Sequence, residues 1–396
     1  MNTRCDVVVV GLGAMGAATL FQLSRLSGRS VRAVGIDRFA PPHTHGSTHG
    51  ETRITRLAIG EGDAYVPFAR RSHEIWRDLE AETGEDLFTP CGYAMISRPG
   101  SKGVHHGASD FLGHTAAVAR RHRIAHEMLD AATLRRRFPS LMAAEGEMAY
   151  FEPSGGFVRP ERCVETQLRL AAEGGAELML GTTVLSVTER DGGVVVETDR
   201  GTVEAEQAVV AAGSWAGKLL GQPYDRTLVP YRQVLHWYPS LQPALHEPGQ
   251  MPVYIWVHDE LPGAFFYGFP SLPGAGEVKL GIEQYDRTCD PDTVDRAIDP
   301  ADGPSVFAGH VSGRIDALGA VPSRSATCLY TITPDSGFVV ERHPAQNRVV
   351  VVSPCSGHGF KHSAALGEAV AQFVAEGRST LDLGPFSSTR LARKAA

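Results

Sequence analysis

The hydrophobic pattern changes period several times along the chain. CDVVVVGLGAMGAATLFQLSRL (5–26) opens as an unbroken apolar strand and becomes a helix with few polar positions, and VRAVGID (31–37) follows as a second strand ending in an acid. Residues 66–82 repeat apolar positions at helical spacing, 110–138 look helical with breaks, and ERCVETQLRLAAEGGAE predicts a helix ending at Gly174 and Gly175. AELMLGTTVLSVTER, GGVVVETDRG and TVEAEQAVVAAG then read as a strand meander joined by a D-G-G turn and ending at Gly213, Ser214 and Trp215. Between 228 and 285, LVPYRQVLHWY, PVYIWV, GAFFYGFP and EVKLGIEQY are aromatic-rich strands separated by Pro and Gly, which predicts a separate, largely antiparallel sheet. Near the end, RVVVVSPCSGHGFKHSAALGEAVAQFVAEG reads as strand, glycine loop and helix, able to rejoin the first unit. The expected class is α/β: a Rossmann-like domain plus a second, α+β domain with a mainly antiparallel sheet. The chain crosses between the two more than once.

The first strand-to-helix turn carries Gly11, Gly13 and Gly16 at G-x-G-x-x-G spacing, and Asp37 lies 21 residues beyond Gly16. Gly11 permits the tight turn, Gly13 lets a pyrophosphate approach the backbone, and Gly16 lets helix pack on strand. The phosphates then sit at the helix N-terminus, and Asp37 is placed to accept a ribose hydroxyl. Strand, glycines, helix, strand and acid together predict a bound dinucleotide. A carboxylate at 37 repels a 2′-phosphate, so NADP fits poorest; FAD and NAD both remain open on this segment.

Composition narrows the surroundings. The 396 residues suffice for two or three folding units, and 42% hydrophobic with 21% charged residues is ordinary for a globular chain. A net charge of −7 argues against nucleic acid and anionic membrane as partners, and no apolar run is long enough to span a bilayer. Asp6 interrupts the opening segment, which reads as strand and helix rather than signal peptide, so the cytoplasm is the expected compartment. Six scattered cysteines, with no C-x-x-C pair, form neither a disulfide framework nor a zinc site.

The loop HTHGSTHGETRITR holds His43, His45, His49, Arg53 and Arg56 with almost no apolar residue. Two arginines would repel a metal cation, so the loop reads either as solvated or as an anion site in which guanidiniums hold a carboxylate. Lys279, within the apolar strand V-K-L-G-I, either lies at a sheet edge pointing to water or is buried beside a negative group. Taken alone, Cys328 reads as a buried thiol and His358 as a loop histidine satisfied by backbone.

HGSTHGETRITRLAIGEGDAYVP closely resembles the monomeric sarcosine oxidase and N-methyltryptophan oxidase family, in which H-G-S-x-H-G-[DE]-T-R-x-x-R occupies this place. The likeness continues in order through PYRQV, YGFPS, KLG, CLYT and S-G-H-G-F-K, and so covers nearly the whole chain. The resemblance implies a two-domain flavoprotein that binds FAD and oxidises a secondary amine on an amino acid, N-methyl or cyclic. Oxygen is the acceptor, the imine product hydrolyses, and hydrogen peroxide is released. By motif, Cys328 matches the cysteine joined covalently to the flavin 8α-methyl group, and Arg56 and Lys361 match the pair that binds the substrate carboxylate. Arg53 and His49 match residues beside the flavin, His358 one near its pyrimidine side, and Lys279 the lysine over its face that activates oxygen. Tyr267, in YGFPS, is expected in the substrate pocket.

One position departs from the family. Where the pattern K-[LI]-G-x-H has a pocket histidine, this chain has Glu283, and one extra residue separates Tyr267 from Lys279. Replacing a ring by a carboxylate there is expected to reverse local electrostatics and change pocket size; Glu283 either pairs with Arg56 or Lys361 as a structural compensation or faces the distal end of the substrate. The substrate side chain therefore stays open. An FAD domain is expected from 1–88, 155–220 and 328–396, and a substrate domain from 89–154 and 221–327. Partners are a small amino acid and O2, and the chain is expected to be a monomer. Two other classes remain: an NAD-linked dehydrogenase, and a flavin-binding tailoring protein without oxidase activity.

Overall fold

The computed structural model describes residues 2–26 and 31–394. The strand Asn2–Val10 runs parallel to Ala33–Asp37 on one side and to Gly201–Val210 on the other. Glu177–Leu180 extends the sheet beyond Ala33–Asp37, also in parallel. The far edge of Gly201–Val210 is shared: its first half pairs antiparallel with Gly193–Thr198, its last residues parallel with Gln346–Ser353. The predicted meander and the predicted C-terminal strand thus both join the nucleotide-type sheet.

Helix Ala14–Leu23 packs on this sheet beside Ser363–Glu376. A Cβ on Gly16 would lie 1.7 Å from the Gly11 carbonyl oxygen, and one on Gly11, at φ +87°, would lie 2.6 Å from the Ala211 carbonyl oxygen. These two positions therefore exclude any side chain. Alternate strand residues supply two cores, Val7, Val9 and Val209 toward the helices and Val8, Val10 and Val210 on the opposite face.

The second eight-stranded sheet is mostly antiparallel. Arg324–Ile332, Val229–Pro239, Glu277–Gly281, Phe265–Gly268 and Val253–Val257 lie side by side, then Tyr93–Ser97, Met148–Glu152 and Glu127–Asp130. Only Val253–Val257 with Tyr93–Ser97 is parallel within it. The boundary expected at 328 falls inside Arg324–Ile332, a strand that pairs over its whole length with Val229–Pro239. The broken helical stretch 110–138 resolves into helices Phe111–Arg121 and Ala131–Arg137 with the short strand between them. No helix among the described residues is long and apolar enough to cross a membrane.

Candidate active site

Two cavities share Arg53, Tyr330, Gly357 and Phe360. The larger, about 380 Å³, is lined by Gly11, Gly13, Asp37, Trp215 and Cys355 among others. A Cβ on Gly13 would meet nothing nearer than Thr48 Oγ1 at 3.6 Å, so open space stands before the helix N-terminus. Asp37 is buried at the cleft wall and accepts from the Leu12 N–H at 2.7 Å and the Phe39 N–H at 2.8 Å. Burial pushes its pKa up, against those two donors, and each oxygen keeps a lone pair for a further donor. The glycine turn, the open helix end and the carboxylate at the close of the second strand fit the pyrophosphate and ribose of a dinucleotide.

The smaller cavity, about 60 Å³, brings together Arg53, Arg56, Tyr267, Lys279, Glu283, His358 and Lys361. These come from three stretches of sequence that the two sheets fold together. Arg56 follows the short strand Arg53–Thr55, and the buried carboxylate of Glu152 anchors the loop beyond it by accepting from Leu57 N–H and Ala58 N–H. Arg56 Nη2 lies 3.0 and 2.9 Å from the two oxygens of Glu61, its guanidinium sits over the Tyr93 ring, and its Nε has no partner among the described residues. Burial opposes ionisation of Glu61, but the Arg56 charge and the hydrogen bond from His106 hold its pKa well below the carboxylate range. Lys361, at the turn leading into Ser363–Glu376, donates to the His358 carbonyl at 2.5 Å; burial and the Arg56 charge bring its pKa down to about 7.

Lys279 is not at an edge. Glu277–Gly281 is an interior strand, and Lys279 is 3% exposed. Its Nζ donates to the carbonyls of Gly50 and Thr52, both at 2.7 Å, and lies 4.5 Å from the Phe269 ring centre. Burial and the Arg53 charge hold its pKa well below the usual lysine range. Arg53 in turn donates to the carbonyls of Ser47 and Thr52. The loop carrying these carbonyls is fixed from behind by Glu161, which accepts from the N–H groups of Gly50 and Glu51.

Cys328 is fully buried and lines neither cavity; its Sγ lies 3.9 Å from Arg53 Nη2 and 3.7 Å from the Ser47 carbonyl. Burial raises the thiol pKa, while Arg53 and Lys279 work against that rise. His49 is buried beside Arg53, its Nε2 without a partner, and burial and Arg53 lower its pKa to about 3. His358 donates from Nε2 to the Ser336 carbonyl at 2.9 Å, which leaves Nδ1 as an acceptor 3.8 Å from Glu61.

The expectation for Glu283 changes. It pairs with neither Arg56 nor Lys361; Oε1 lies 3.1 Å from His106 Nε2, and Oε2 accepts from the Tyr285 hydroxyl. His106 Nδ1 lies 3.0 Å from Glu61 Oε1. Burial disfavours charge on this ring, but Glu283 and Glu61 raise its pKa to about 9, and His106 lowers Glu283 to about 2 despite burial. The Glu283 charge is thus matched within the pocket, and local electrostatics are not reversed. Glu61, His106 and His358 offer ligand atoms within 4.8 Å of one another, yet Arg56 and Lys361 adjoin them, so a proton suits the gap between the carboxylates better than a metal ion.

Sequence reasoning missed Glu61, His106, Tyr330 and Tyr285. Glu61 lies within the matched segment LAIGEGDAYVP, and Tyr330 is two residues after Cys328 on one strand face, its hydroxyl 3.3 Å from that of Tyr267. For His106 the one signal on offer is the pair of histidines in GVHHGASD, which nothing in the sequence ties to the pocket.

The whole chain has relatives of known name. It is 36% identical over 397 residues to a monomeric sarcosine oxidase of Bacillus sp. (strain B-0618), covering 100% of this chain and 98% of that one. It is 37% identical to a monomeric sarcosine oxidase of Streptomyces avermitilis, over 99% of each chain. To an N-methyl-L-tryptophan oxidase of Yersinia pestis (strain Pestoides F) it is 32% identical, over 97% of this chain and 99% of that one. In fold it matches NikD, an amino acid oxidase of nikkomycin biosynthesis, with TM-score 0.82 at 24% identity over 97% of each chain. Residues 6–373 match the family model described as DAO, FAD dependent oxidoreductase, and with the glycine turn, Asp37 and the cleft between them this chain belongs to that family.

Proposed function

We propose that the chain is an FAD-dependent oxidase of a secondary amine on an amino acid, N-methylated or cyclic, with O2 as acceptor and hydrogen peroxide as product. One observation carries the reading: Arg56, Lys361 and Lys279 line one small pocket that shares Arg53, Tyr330, Gly357 and Phe360 with the cofactor-sized cleft. Bound FAD supplies the two-electron acceptor. Arg56, with Nε to spare, and Lys361 hold the substrate carboxylate and so fix the amine-bearing carbon, turning an encounter into a positioned reaction. The amine reacts in its uncharged form, which a pocket carrying several cations favours. Lys279 supplies positive charge where negative charge develops on oxygen. Asp37 accepts from the cofactor ribose, and His49 and His358 flank the ring system.

Cys328 is the proposed point of covalent attachment. Arg53 at 3.9 Å and the Lys279 charge favour the thiolate that such a bond requires. A second reading has a specific support: Cys355, not Cys328, is the thiol lining the cleft. The cysteines are free thiols, which suits the reducing cytoplasm. The sheets support a cofactor domain that leaves the chain near 220 and regains it after Arg324–Ile332. An oxygen-uptake screen with sarcosine, N-methyl-L-alanine and L-proline tests the function. Uptake with at least one supports it; none with any, from yellow protein, contradicts it.

A further inference from the structure

His105 and Ala108 exchange two backbone hydrogen bonds of 3.0 Å, and the residues between them, His106 and Gly107, both hold positive φ. This is a two-residue hairpin of the I′ kind, with His106 at its tip. Its base is tied by the Asp110 N–H donating to the Ser101 carbonyl. His105, buried between Phe111 and Phe265, seats the tip, and Gly357 makes room for it: a Cβ there would lie 2.7 Å from Glu283 Oε1 and 3.2 Å from His106 Nε2.

The tip enters the substrate pocket. With a carboxylate at each ring nitrogen, both must carry hydrogen, so the ring is an imidazolium. Glu61 also holds Arg56, so Glu283, His106, Glu61 and Arg56 form a chain of alternating charge. It ends on the guanidinium assigned to the substrate carboxylate. His105 from the same loop, Tyr285 beyond Glu277–Gly281, and His358 and Lys361 from the C-terminal glycine loop adjoin the ring, and Arg53, Tyr267, Lys279 and Tyr330 complete the titratable groups of the pocket lining.

We propose that His106 is a positioning residue: an imidazolium pin, delivered by the 99–110 loop, that closes the pocket, cancels Glu283 and orients Arg56 through Glu61. The four charges of the chain sum to zero, and the other two cations of the lining, Arg53 and Lys279, direct their N–H groups to backbone carbonyls, so Lys361 is the cation left beside Arg56 to be matched by one substrate carboxylate. The pocket therefore selects amino acids with one carboxylate and an uncharged side chain, since an unmatched second charge is costly where water is excluded. The substrate part rests on the oxidase reading above; the pin itself does not. Because the His106 pKa is raised, the pin is fully in place below the ordinary histidine value of about 6.5 and is lost as pH rises through about 9.

Hydrogen exchange and steady-state kinetics on the holoenzyme test this with His106→Gln, Glu283→Gln and the double variant. Corrected for intrinsic rates, amides of 101–109 in the parent protein lose protection as pH rises through about 9, and in His106→Gln they are already unprotected at pH of about 7. Each single variant raises KM for sarcosine and N-methyl-L-alanine about tenfold or more, with kcat falling less than about threefold, and the double variant is no worse than either. The parent enzyme prefers N-methyl-L-alanine to N-methyl-L-aspartate by about a hundredfold in kcat/KM, and Glu283→Gln, which leaves His106 unopposed there, narrows the gap. Unchanged exchange in His106→Gln, or single effects that simply multiply, overturns the pin. If no N-methyl amino acid is oxidised, the oxidase reading fails and the exchange measurement alone still decides the pin; if His106→Gln does not fold, exchange in Glu283→Gln decides it.

Discussion

Lys279 Nζ donates to the carbonyl of Gly50 at 2.7 Å, tying the antiparallel sheet to the loop that carries Arg53. The same Nζ reaches Thr52 O at 2.7 Å and Thr52 Oγ1 at 3.3 Å, so its donors are taken up by the protein. Three acceptors match the three hydrogens of an ammonium, so in the proposed reaction Lys279, although burial and Arg53 lower its pKa, is expected to act on oxygen as a charge held in place rather than as a proton donor. Replacing Lys279 by Met is expected to slow reoxidation of the reduced enzyme by about a hundredfold or more, the scale of losing one preorganised electrostatic group. Anaerobic reduction by substrate should change far less. Stopped-flow absorbance resolves the two half-reactions, and equal slowing of both would return Lys279 to a structural role.

Covalent attachment separates the two thiols. Acid precipitation of the wild-type protein should leave the yellow colour on the pellet. Cys328→Ser should release it to the supernatant, and Cys355→Ser should keep it bound. Release by Cys355→Ser instead would move the bond to the thiol that lines the cleft.

Carboxylate binding should follow Lys361. With its pKa near 7 in the free pocket, Lys361 is charged below that pH and neutral above it. Affinity for acetate, read from its perturbation of the flavin spectrum, should be nearly flat on the acid side of that value. Above it, affinity should fall by up to about tenfold per pH unit. Lys361→Met should bind acetate weakly and flatten that dependence. A wild-type affinity that rises with pH would contradict the assignment.

Glu61 holds Arg56 with both oxygens, and both side chains are almost fully buried. Glu61→Gln removes one partner of a buried pair and is expected to cost about 3 kcal/mol of stability. Since the Glu61 pKa is lowered in the folded state, its contribution is present above the ordinary carboxylate value and lost as pH falls below it. The variant should therefore show a smaller loss of thermal stability than the parent on acidification. A parallel loss in both would mean that other carboxylates dominate.

Local pattern and resemblance together placed most of the architecture. The glycine turn, Asp37 and the parallel strands are written in contiguous runs, and helix Val66–Thr83 matches its apolar period closely. Whether Lys279 was edge or interior was not legible, because edge status depends on which strands flank Glu277–Gly281, and those lie far away in sequence. The surroundings of Glu283 were hidden for the same reason. Its partner His106 is 177 residues away, on a hairpin whose two-residue tip leaves no periodic signal. Pairing with Arg56 or Lys361 and facing the distal end of the substrate are the alternatives the sequence offers for Glu283, and the ring that pairs with it is in neither.

The most direct measurement is an anaerobic titration of the bound flavin with N-methyl-L-alanine, followed by admission of oxygen. The account predicts loss of the yellow absorbance with amino acid alone, then full recovery with one hydrogen peroxide formed per flavin. Absorbance lost to NADH but not to any N-methyl or cyclic amino acid would contradict it, as would recovery without peroxide.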